Sequence, residues 1–280
     1  MNRLFSILLP AYKRQHLQAC IESVLNQTYT FWELIIINDA SPENIDSIIQ
    51  TYNDKRIHYY INPQNIGAYN LVKQWNKCLH YAKGEYCICI GDDDYLLPYC
   101  LDTYNDLINH YQQVEILHGQ TDIIDTNGQF VSHTAPRPEW ESATSLLYHR
   151  TFKYKHQFIG DFCYQTKALK ARGGFYSLPL AWGSDDISAI QGAEKAGIAN
   201  TQEVVFYYRS HDNTITTTKY LWAKIYATLL DAKWKRRFLK RKCTTAEDEL
   251  YRKRLQKNLL KHTITRCYYI LHNTFSKNRL

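Results

Sequence analysis

The sequence lacks several features that would place it in other classes of protein. No stretch approaches the roughly 20 uninterrupted apolar residues that a membrane-spanning helix requires. The first segment has only about six apolar residues in a row before Pro10 and no small-residue cleavage site, so we interpret it as a buried strand and not as a signal peptide. Internal repeats and low-complexity tracts are absent too, which argues against a solenoid or a disordered chain.

Cysteine is present, but not in a metal-binding or disulfide pattern. The eight cysteines are scattered, and none forms the C-x-x-C pair typical of zinc sites and redox motifs. Cys87 and Cys89 lie two residues apart in a strand-like run, so both point to the same face. A metal or disulfide use stays open, but buried free thiols are favoured. A reducing compartment is then the default, which predicts a cytoplasmic protein.

Charge is divided unevenly along the chain. Residues 219–280 contain 17 lysines and arginines against 4 acidic residues, whereas the first 218 residues contain 17 against 23. The composition of 45% apolar and 22% charged residues is ordinary for a globular protein with a full core. The sequence therefore predicts an acidic body followed by a basic tail.

The first hundred residues alternate between strand and helix patterns. Continuously apolar runs such as "WELIIIND" are typical of strands that helices cover on both faces. The alternation predicts an α/β fold with a Rossmann-like, mostly parallel central sheet flanked by helices. We expect strands at 3–10, 32–39, 57–62 and 85–90, and helices at 17–27, 41–52 and 67–82.

Beyond residue 113 the pattern is mixed. Asn127 and Gly128 form a dipeptide typical of a hairpin turn. The predicted organisation is one domain in two halves, 1–113 and 114–218, followed by a C-terminal basic helical extension, 219–280. We expect strands at 114–119, 121–125, 159–166 and 203–210, an irregular segment over the site at 132–157, a helix at 186–197, and two or more basic helices between 219 and 273.

Polar residues follow several of the predicted strands. Three consecutive carboxylates, Asp92–Asp94, come directly after Gly91, where their mutual repulsion favours a bound cation. Mg²⁺ or Mn²⁺ suits such oxygen ligands, and a polar turn that caps the next helix is the alternative. Pro10 and Asp39 also end strands, and doubly wound sheets bind ligands outside these ends. We therefore expect all of these residues to line one crevice.

Tyr12 and Asp39 together suit a nucleobase. An aromatic face stacks on a base, and a carboxylate accepts a hydrogen bond from it. Plain packing for Tyr12 and an N-cap of the 41–52 helix for Asp39 are the alternatives.

Four segments of the chain carry motifs in the order of a known family. Residues 6–44 contain a strand ending in Pro-x-Tyr, a helix with Ser-Val-Leu-x-Gln and a strand ending in Asp-x-Ser. Residues 65–98 contain Asn-x-Gly, Ala-x-Gly-Glu-Tyr and the Asp-rich run, 173–190 contain Gly-Gly-Phe and an acidic pair, and 207–216 contain Tyr-Arg-x-His. The chain thereby resembles the family 2 glycosyltransferases, the inverting group with the GT-A fold.

The resemblance implies a donor and a cofactor. A nucleotide-diphosphate-sugar would bind in the 1–113 half with Mn²⁺ or Mg²⁺, and the acceptor would bind in the 114–218 half. Tyr12 and Asp39 would hold the base, with Asn65 and Asn76 on the same wall beside Pro10.

The family also implies roles within the Asp-rich run. Its usual pattern is Asp-x-Asp-Asp, and counting back from Pro98 puts Gly91 at the first of these positions. Asp93 is then the main metal ligand, Asp94 a supporting ligand, and Asp92 a contact to ribose or metal.

An inverting transfer needs a general base that deprotonates the acceptor hydroxyl. By resemblance the base is the second member of an acidic pair at a helix start, which is Asp186, and Asp185 would raise its pKa. A helix cap and dipole partner for the 186–197 helix is the alternative.

Three further residues are candidates for the site. Arg209 would stabilise the diphosphate, and His211 would do the same or ligate the cation. Trp182 would stack on the acceptor sugar, with packing under its loop as an equal alternative.

The basic tail has its own interpretation. Residues 219–242 place apolar side chains on one helical arc and basic ones after it, which suits peripheral contact with the anionic inner face of a membrane. Packing on the body is an alternative, and nucleic acid is disfavoured. The sequence thus predicts a transferase that extends a glycan or lipid-linked glycan acceptor, of the bacterial surface-polysaccharide or capsule type. A nucleotidyltransferase or a non-catalytic nucleotide- or glycan-binding module is the rival.

Overall fold

The computed structural model describes residues 3–153, 156–211 and 220–276. The strands are β1 (Phe5–Ala11), β2 (Trp32–Asn38), β3 (Ile57–Ile61), β4 (Tyr86–Cys89), β5 (Tyr95–Leu96), β6 (Ile116–Ile124), β7 (Phe130–His133), β8 (Trp140–Glu141), β9 (Phe162–Gln165) and β10 (Ile198–Arg209). The helices are α1 (Leu17–Leu25), α2 (Asp46–Ile49), α3 (Leu71–Tyr81), α4 (Cys100–His110), α5 (Ala143–Phe152), α6 (Thr166–Ala171), α7 (Ser184–Ala193), α8 (Leu221–Phe238) and α9 (Ala246–Ser276).

Strands β1 to β4 form a parallel sheet whose carboxyl ends share one edge. Their order is β3-β2-β1-β4, and every neighbouring pair in it is parallel. All seven residues of β2 are buried, as expected when helices cover both faces. The loops after β1, β2 and β4 therefore emerge side by side.

Beyond β4 the sheet becomes mixed. Strand β9 pairs antiparallel with both β4 and β6, and β10 runs parallel to β6. The predicted turn at Asn127–Gly128 joins β6 to β7 as a hairpin. The two strands predicted at 114–119 and 121–125 are a single strand, because Gly119 leaves room for Tyr104 and does not break the ladder.

The helix predicted at 41–52 is only one turn, α2. Ser41 Oγ accepts a hydrogen bond from the N–H of Glu43 at 3.1 Å, and Asn44 Oδ1 accepts one from the N–H of Ser47 at 3.2 Å. Such local bonds give the backbone an alternative to a helix.

The segment 132–157 is not irregular throughout, because α5 occupies much of it. Ser142 caps this helix by accepting a hydrogen bond from the N–H of Ser145 at 3.0 Å. Strands β7 and β8 also lie wholly or partly in this segment, so irregular backbone is confined to short connections among its described residues.

Two apolar layers enclose the sheet. One packs under α1 and α4, and the other packs under α3, α5 and α7. The basic tail forms α8 and α9, which bury Phe238, Leu239, Leu255 and Leu259 against the second layer. All eight cysteines are free thiols and six are buried, as predicted. Among the helices of the described ranges, none combines the length and hydrophobicity needed to span a bilayer.

Candidate active site

A cleft of about 900 Å³ opens at the carboxyl edge of the parallel strands. It brings together side chains that are far apart in the sequence, as the strand order predicts. The predicted site residues that line it are Pro10, Tyr12, Asp39, Asn65, Asp92, Asp93, Asp94, Asp185, Asp186, Arg209 and His211.

Asp92 connects the loop after β4 to the loop after β1. Its Oδ2 accepts hydrogen bonds from the backbone N–H groups of Tyr12 and Lys13, both at 2.7 Å. Burial and the neighbouring Asp93 raise the pKa of Asp92 to about 6. The Tyr12 ring stays 43% exposed at the cleft, so it is available as a stacking platform.

Asp94 is a structural residue in this geometry. Its Oδ1 accepts from the N–H of Arg209 at 3.1 Å and its Oδ2 accepts from the N–H of Gly91 at 3.3 Å. Burial raises its pKa well above the ordinary value. Each oxygen of this buried carboxylate thus has a backbone donor, and the role of Asp94 as a supporting metal ligand stays a prediction.

The same turn explains the glycine at position 91. A Cβ there would lie 2.8 Å from Asp94 Oδ2 and 3.0 Å from Asp93 Oδ1. An aspartate at Gly91 would therefore collide with the carboxylates that follow it.

Asp93 is the carboxylate of the run that meets a second metal-ligating group. Its Oδ2 lies 2.7 Å from His211 Nε2 and 3.8 Å from Lys13 Nζ. An oxygen and an imidazole nitrogen this close can both ligate Mn²⁺, which takes further ligands from phosphate and water. In the ranges that the structure describes, no three His, Cys, Asp or Glu side chains are grouped to hold a metal ion. The family pattern at 207–216 extends beyond the described residues after His211.

Arg209 positions the Asp-rich loop. Its Nε donates to the carbonyl of Asp93 at 2.9 Å, and its Nη1 donates to the carbonyl of Asp125 at 3.0 Å. The side chain is buried. The guanidinium is thus engaged with backbone carbonyls, which departs from the expected direct contact with a diphosphate.

Asp39 organises the opposite wall. Its Oδ1 accepts from Asn62 Nδ2 at 2.7 Å and from the N–H of Ile66 at 2.9 Å. Its Oδ2 accepts from Asn65 Nδ2 at 3.2 Å and from the N–H of Gly67 at 3.3 Å. Asp39 therefore fixes the loop after β3 and is not the N-cap of a 41–52 helix. The longer bonds leave Oδ2 the less firmly held oxygen.

Asn76 does not join this wall. Its Nδ2 donates to the carbonyl of Phe175 at 3.1 Å, and its Oδ1 accepts from the N–H of Phe175 at 2.7 Å. The prediction of a cleft residue is corrected: Asn76 faces the glycine-rich turn after α6 and holds it to α3.

The acidic pair lies in the first turn of α7. Arg150 Nε and Gln157 Nε2 both donate to Asp186 Oδ1 at 2.7 Å. Asp186 is buried, whereas Asp185 is half-buried, and both line the cleft.

The two carboxyls have opposite pKa shifts. Burial would raise the pKa of Asp186, but Arg150, Lys235 and Arg266 outweigh burial and lower it. Burial and the Asp186 charge raise the pKa of Asp185 to about 7. This corrects the expectation that Asp185 raises the pKa of Asp186.

A strained loop carries Trp182 to the cleft. Leu180 and Ala181 have positive φ angles of 60° and 55°, which are costly for residues with a side chain. Lys224 Nζ lies 5.3 Å from the centre of the Trp182 ring. Trp182 lines the cleft and also packs against the apolar cluster under its loop, so its contact with an acceptor sugar stays a prediction.

Several cleft residues were not identified from the sequence. Arg150, Gln157 and Arg266 line the cleft. Arg150 and Gln157 lie in the segment predicted to be irregular, and Arg266 lies in the predicted basic tail. Single arginines on helices normally mark solvated faces, so only the fold could select these.

Glycosyl transferase family 2 matches residues 6–170, more than half of the chain. The chain is 31% identical over 133 residues to "UDP-Glc:alpha-D-GlcNAc-diphosphoundecaprenol beta-1,3-glucosyltransferase WfgD" of Escherichia coli, covering 46% of this chain and 51% of that protein. It thus spans about half the length of this relative.

Solved structures share the fold at low identity. S. aureus TarS 1-349 in complex with UDP-GlcNAc superposes with a TM-score of 0.68 at 17% identity, over 88% of this chain and 70% of that one. Mannosyltransferase PcManGT from Pyrobaculum calidifontis, in complex with GDP-Man and Mn²⁺, superposes with a TM-score of 0.58 at 14% identity, over 97% and 73%.

Proposed function

The chain belongs to glycosyl transferase family 2 and has the GT-A fold, and we propose that it transfers a sugar with inversion from a nucleotide-diphosphate-sugar to a glycan hydroxyl. One observation carries the proposal: Asp93 after β4 and the Asp185–Asp186 pair of α7 line the same cleft of about 900 Å³. In the reaction the acceptor oxygen bonds to the anomeric carbon as the bond to the diphosphate oxygen breaks.

The donor end is formed by the first half of the domain. We propose that Tyr12 stacks on the base and that Asp39 Oδ2 accepts a hydrogen bond from it, with Pro10 and Asn65 completing the wall. Lys13 Nζ, near Asp93, is placed to neutralise phosphate charge.

A divalent cation fits the donor end. Asp93 and His211 would hold Mn²⁺ or Mg²⁺, and Asp92 would support them by fixing the loop. When bound, the ion offsets negative charge on the departing diphosphate. The chain's own contribution is the position of the Asp93 backbone, whose carbonyl accepts a hydrogen bond from Arg209 Nε.

We propose Asp186 as the general base. Arg150 and Gln157 fix its Oδ1, so the carboxylate has one orientation and stays ionised. The acceptor proton passes to this carboxylate as the new bond forms. Asp185 is the rival because its raised pKa lies nearer neutral pH.

The acceptor is proposed to be a glycan of bacterial surface-polysaccharide or capsule synthesis, free or lipid-linked. The name of WfgD describes a diphosphoundecaprenol acceptor, which supports the lipid-linked alternative by analogy.

Peripheral contact with the inner face of the membrane is proposed for α8, within the predicted 219–242 segment. Residue 219 lies outside the described residues. Helix α8 turns Lys224, Thr228 and Asp231 toward the body, and it exposes Trp222 and Tyr226 by 75% and 53%. An aromatic face on a basic helix suits an anionic bilayer. Trp222→Ser should reduce the fraction of protein that sediments with anionic vesicles and should not change the fraction that sediments with neutral vesicles. Unchanged sedimentation with anionic vesicles would refute the proposed membrane contact.

Two rivals of the same fold are less well supported. A nucleotidyltransferase would carry a glycine-rich basic loop after β1, and this chain has none between Pro10 and Leu17. A non-catalytic binding module would be favoured if Asp186 lay far from Asp93. Both residues line the same cleft, which counts against that rival.

A donor screen tests the proposal. Full-length protein is heated with a panel of nucleotide diphosphates and nucleotide-sugars, with and without Mn²⁺. A metal-dependent rise in melting temperature, followed by slow hydrolysis of that nucleotide-sugar, is expected. No stabilisation by any member of the panel would refute the donor site.

A further inference from the structure

The acceptor end of the cleft presents two guanidinium groups. Arg150 also positions the proposed base Asp186, whereas Arg266 has no part in the transfer proposed above. Arg150 of α5 and Arg266 of α9 both line the cleft beside the acidic pair. Arg266 lies beyond residues 6–170, which the family matches. The basic tail therefore completes the wall of the cleft.

Arg266 is fixed by a buried carboxylate. Its Nη1 donates to Asp231 Oδ2 at 3.0 Å, and Lys235 Nζ donates to the same oxygen at 2.8 Å. Two cations thus share one carboxylate, so this cluster carries excess positive charge.

Each ion pair presents its cation to the cleft and buries its anion. The Arg266 side chain is 26% exposed and that of Asp231 is 4% exposed. The Arg150 side chain is 28% exposed and that of Asp186 is 4% exposed. The two guanidinium groups are therefore more accessible at this end than the carboxylates that they pair with, although Asp186 also lines the cleft.

The pKa values of two histidines are lowered in part by the same cations. Burial and then Arg150 lower the pKa of His156, which also lines the cleft. Burial, Lys235 and Arg266 lower the pKa of His262 to about 4. Nearby cations thus disfavour the charged form of both imidazoles.

We propose that Arg150 and Arg266 bind a phosphate or diphosphate group on the acceptor, so that the acceptor is a sugar joined to a phosphate-bearing carrier. This rests on the proposed transfer and identifies its acceptor class. The planar donors of a guanidinium match phosphate oxygens. The Trp182 side chain lies on the same wall of the cleft.

The test fills the donor end first. Full-length protein is saturated with Mn²⁺ and the nucleoside diphosphate that the donor screen selects. Farnesyl diphosphate, inorganic pyrophosphate and uncharged farnesol are then titrated by calorimetry. We expect farnesyl diphosphate to bind and farnesol not to bind. Pyrophosphate binding at equal affinity would mean that the anion alone is recognised, and weaker pyrophosphate binding would mean that the lipid contributes.

Matched variants locate the site. Arg266→Gln should weaken farnesyl diphosphate binding by about 10- to 100-fold, the usual effect of losing a charge-assisted contact, and leave nucleotide affinity unchanged. Lys13→Gln, at the donor end, should weaken nucleotide binding and leave the affinity for farnesyl diphosphate unchanged. Equal probe affinity in Arg266→Gln and wild type, or farnesol binding as tight as the diphosphate, would overturn the proposal. Failure of nucleotide to bind would instead refute the proposed function.

The variant should fold. Asp231 keeps Lys235 at 2.8 Å when Arg266 is replaced, so its buried charge stays paired. Arg266→Lys is the second variant. It retains the positive charge but loses the planar guanidinium donors, so it should bind the diphosphate more tightly than Arg266→Gln and less tightly than wild type. No difference between the Lys and Gln variants would argue against a guanidinium contact.

Discussion

The pH dependence of transfer separates the two carboxyls of the acidic pair. A general base loses activity only as pH falls through its pKa, and the pKa of Asp186 is lowered. We therefore expect kcat to be nearly constant from about pH 5 to about pH 8. With Asp185 as base and its pKa of about 7, about a tenth of the enzyme would be active at pH 6 and about a hundredth at pH 5.

Paired substitutions give the second half of this experiment. Asp186→Asn keeps an oxygen that accepts from Arg150 and Gln157 but cannot take a proton, so kcat should fall by about 10²- to 10⁴-fold with donor affinity unchanged. Asp185→Asn should retain activity within about tenfold, because it leaves the proposed base in place.

Stability is the necessary control for Asp186→Asn. Breaking a buried ion pair costs about 3–5 kcal/mol, and the 28% exposure of Arg150 should reduce this to about 1–3 kcal/mol. Melting temperature and nucleotide binding check that the variant is folded, and release of nucleoside diphosphate measures turnover. A tenfold loss per pH unit below pH 7, together with an inactive Asp185→Asn, would transfer the base to Asp185.

Three further predictions concern the loops around the cleft. Asp93→Ala should weaken Mn²⁺-dependent nucleotide binding at least about tenfold, measured by calorimetry, and wild-type affinity would remove Asp93 as a ligand. Gly91→Ala should destabilise the fold by about 1–3 kcal/mol in denaturant unfolding, because its Cβ would lie 2.8 Å from Asp94 Oδ2; an unchanged midpoint would contradict this. Asn76→Ala should cost about 1–3 kcal/mol through two lost hydrogen bonds to Phe175 and leave donor affinity unchanged, so a large loss of donor affinity would return Asn76 to the site.

The first half of the fold was predictable because its physics is local. Strand β2 is apolar at nearly every position, which only burial on both faces explains, and parallel strands must end at one edge. Those two facts are enough to predict that Tyr12, Asp39 and Asp93 lie at one edge of the sheet, where all three line the cleft. The different roles within Asp92–Asp94 were not predictable, since they depend on which backbone donors each carboxylate meets.

The acceptor end was harder because its residues come from distant helices. Helix α5 is buried on more than one side, through Leu146, Leu147 and Tyr148, so its pattern lacks a clear polar face. Arg266 lies 80 residues after Asp186, in a segment whose many basic residues are typical of a solvent-exposed or membrane-facing helix. Only tertiary packing distinguishes it from the other basic residues of the tail.

Strand β9 determines how such enzymes can be recombined. It lies within residues 114–218, the half that we propose binds the acceptor, yet it pairs with both β4 and β6, with the fully buried Cys163 opposite both Ile88 and Leu117. A chimera joined at residue 113 would exchange this strand along with the acceptor wall, so the incoming half must place a similarly small side chain beside Ile88. Exchange of the second half between relatives therefore depends on matching β9 to β4, and also on the pairing of β5 with β10, which crosses the same junction.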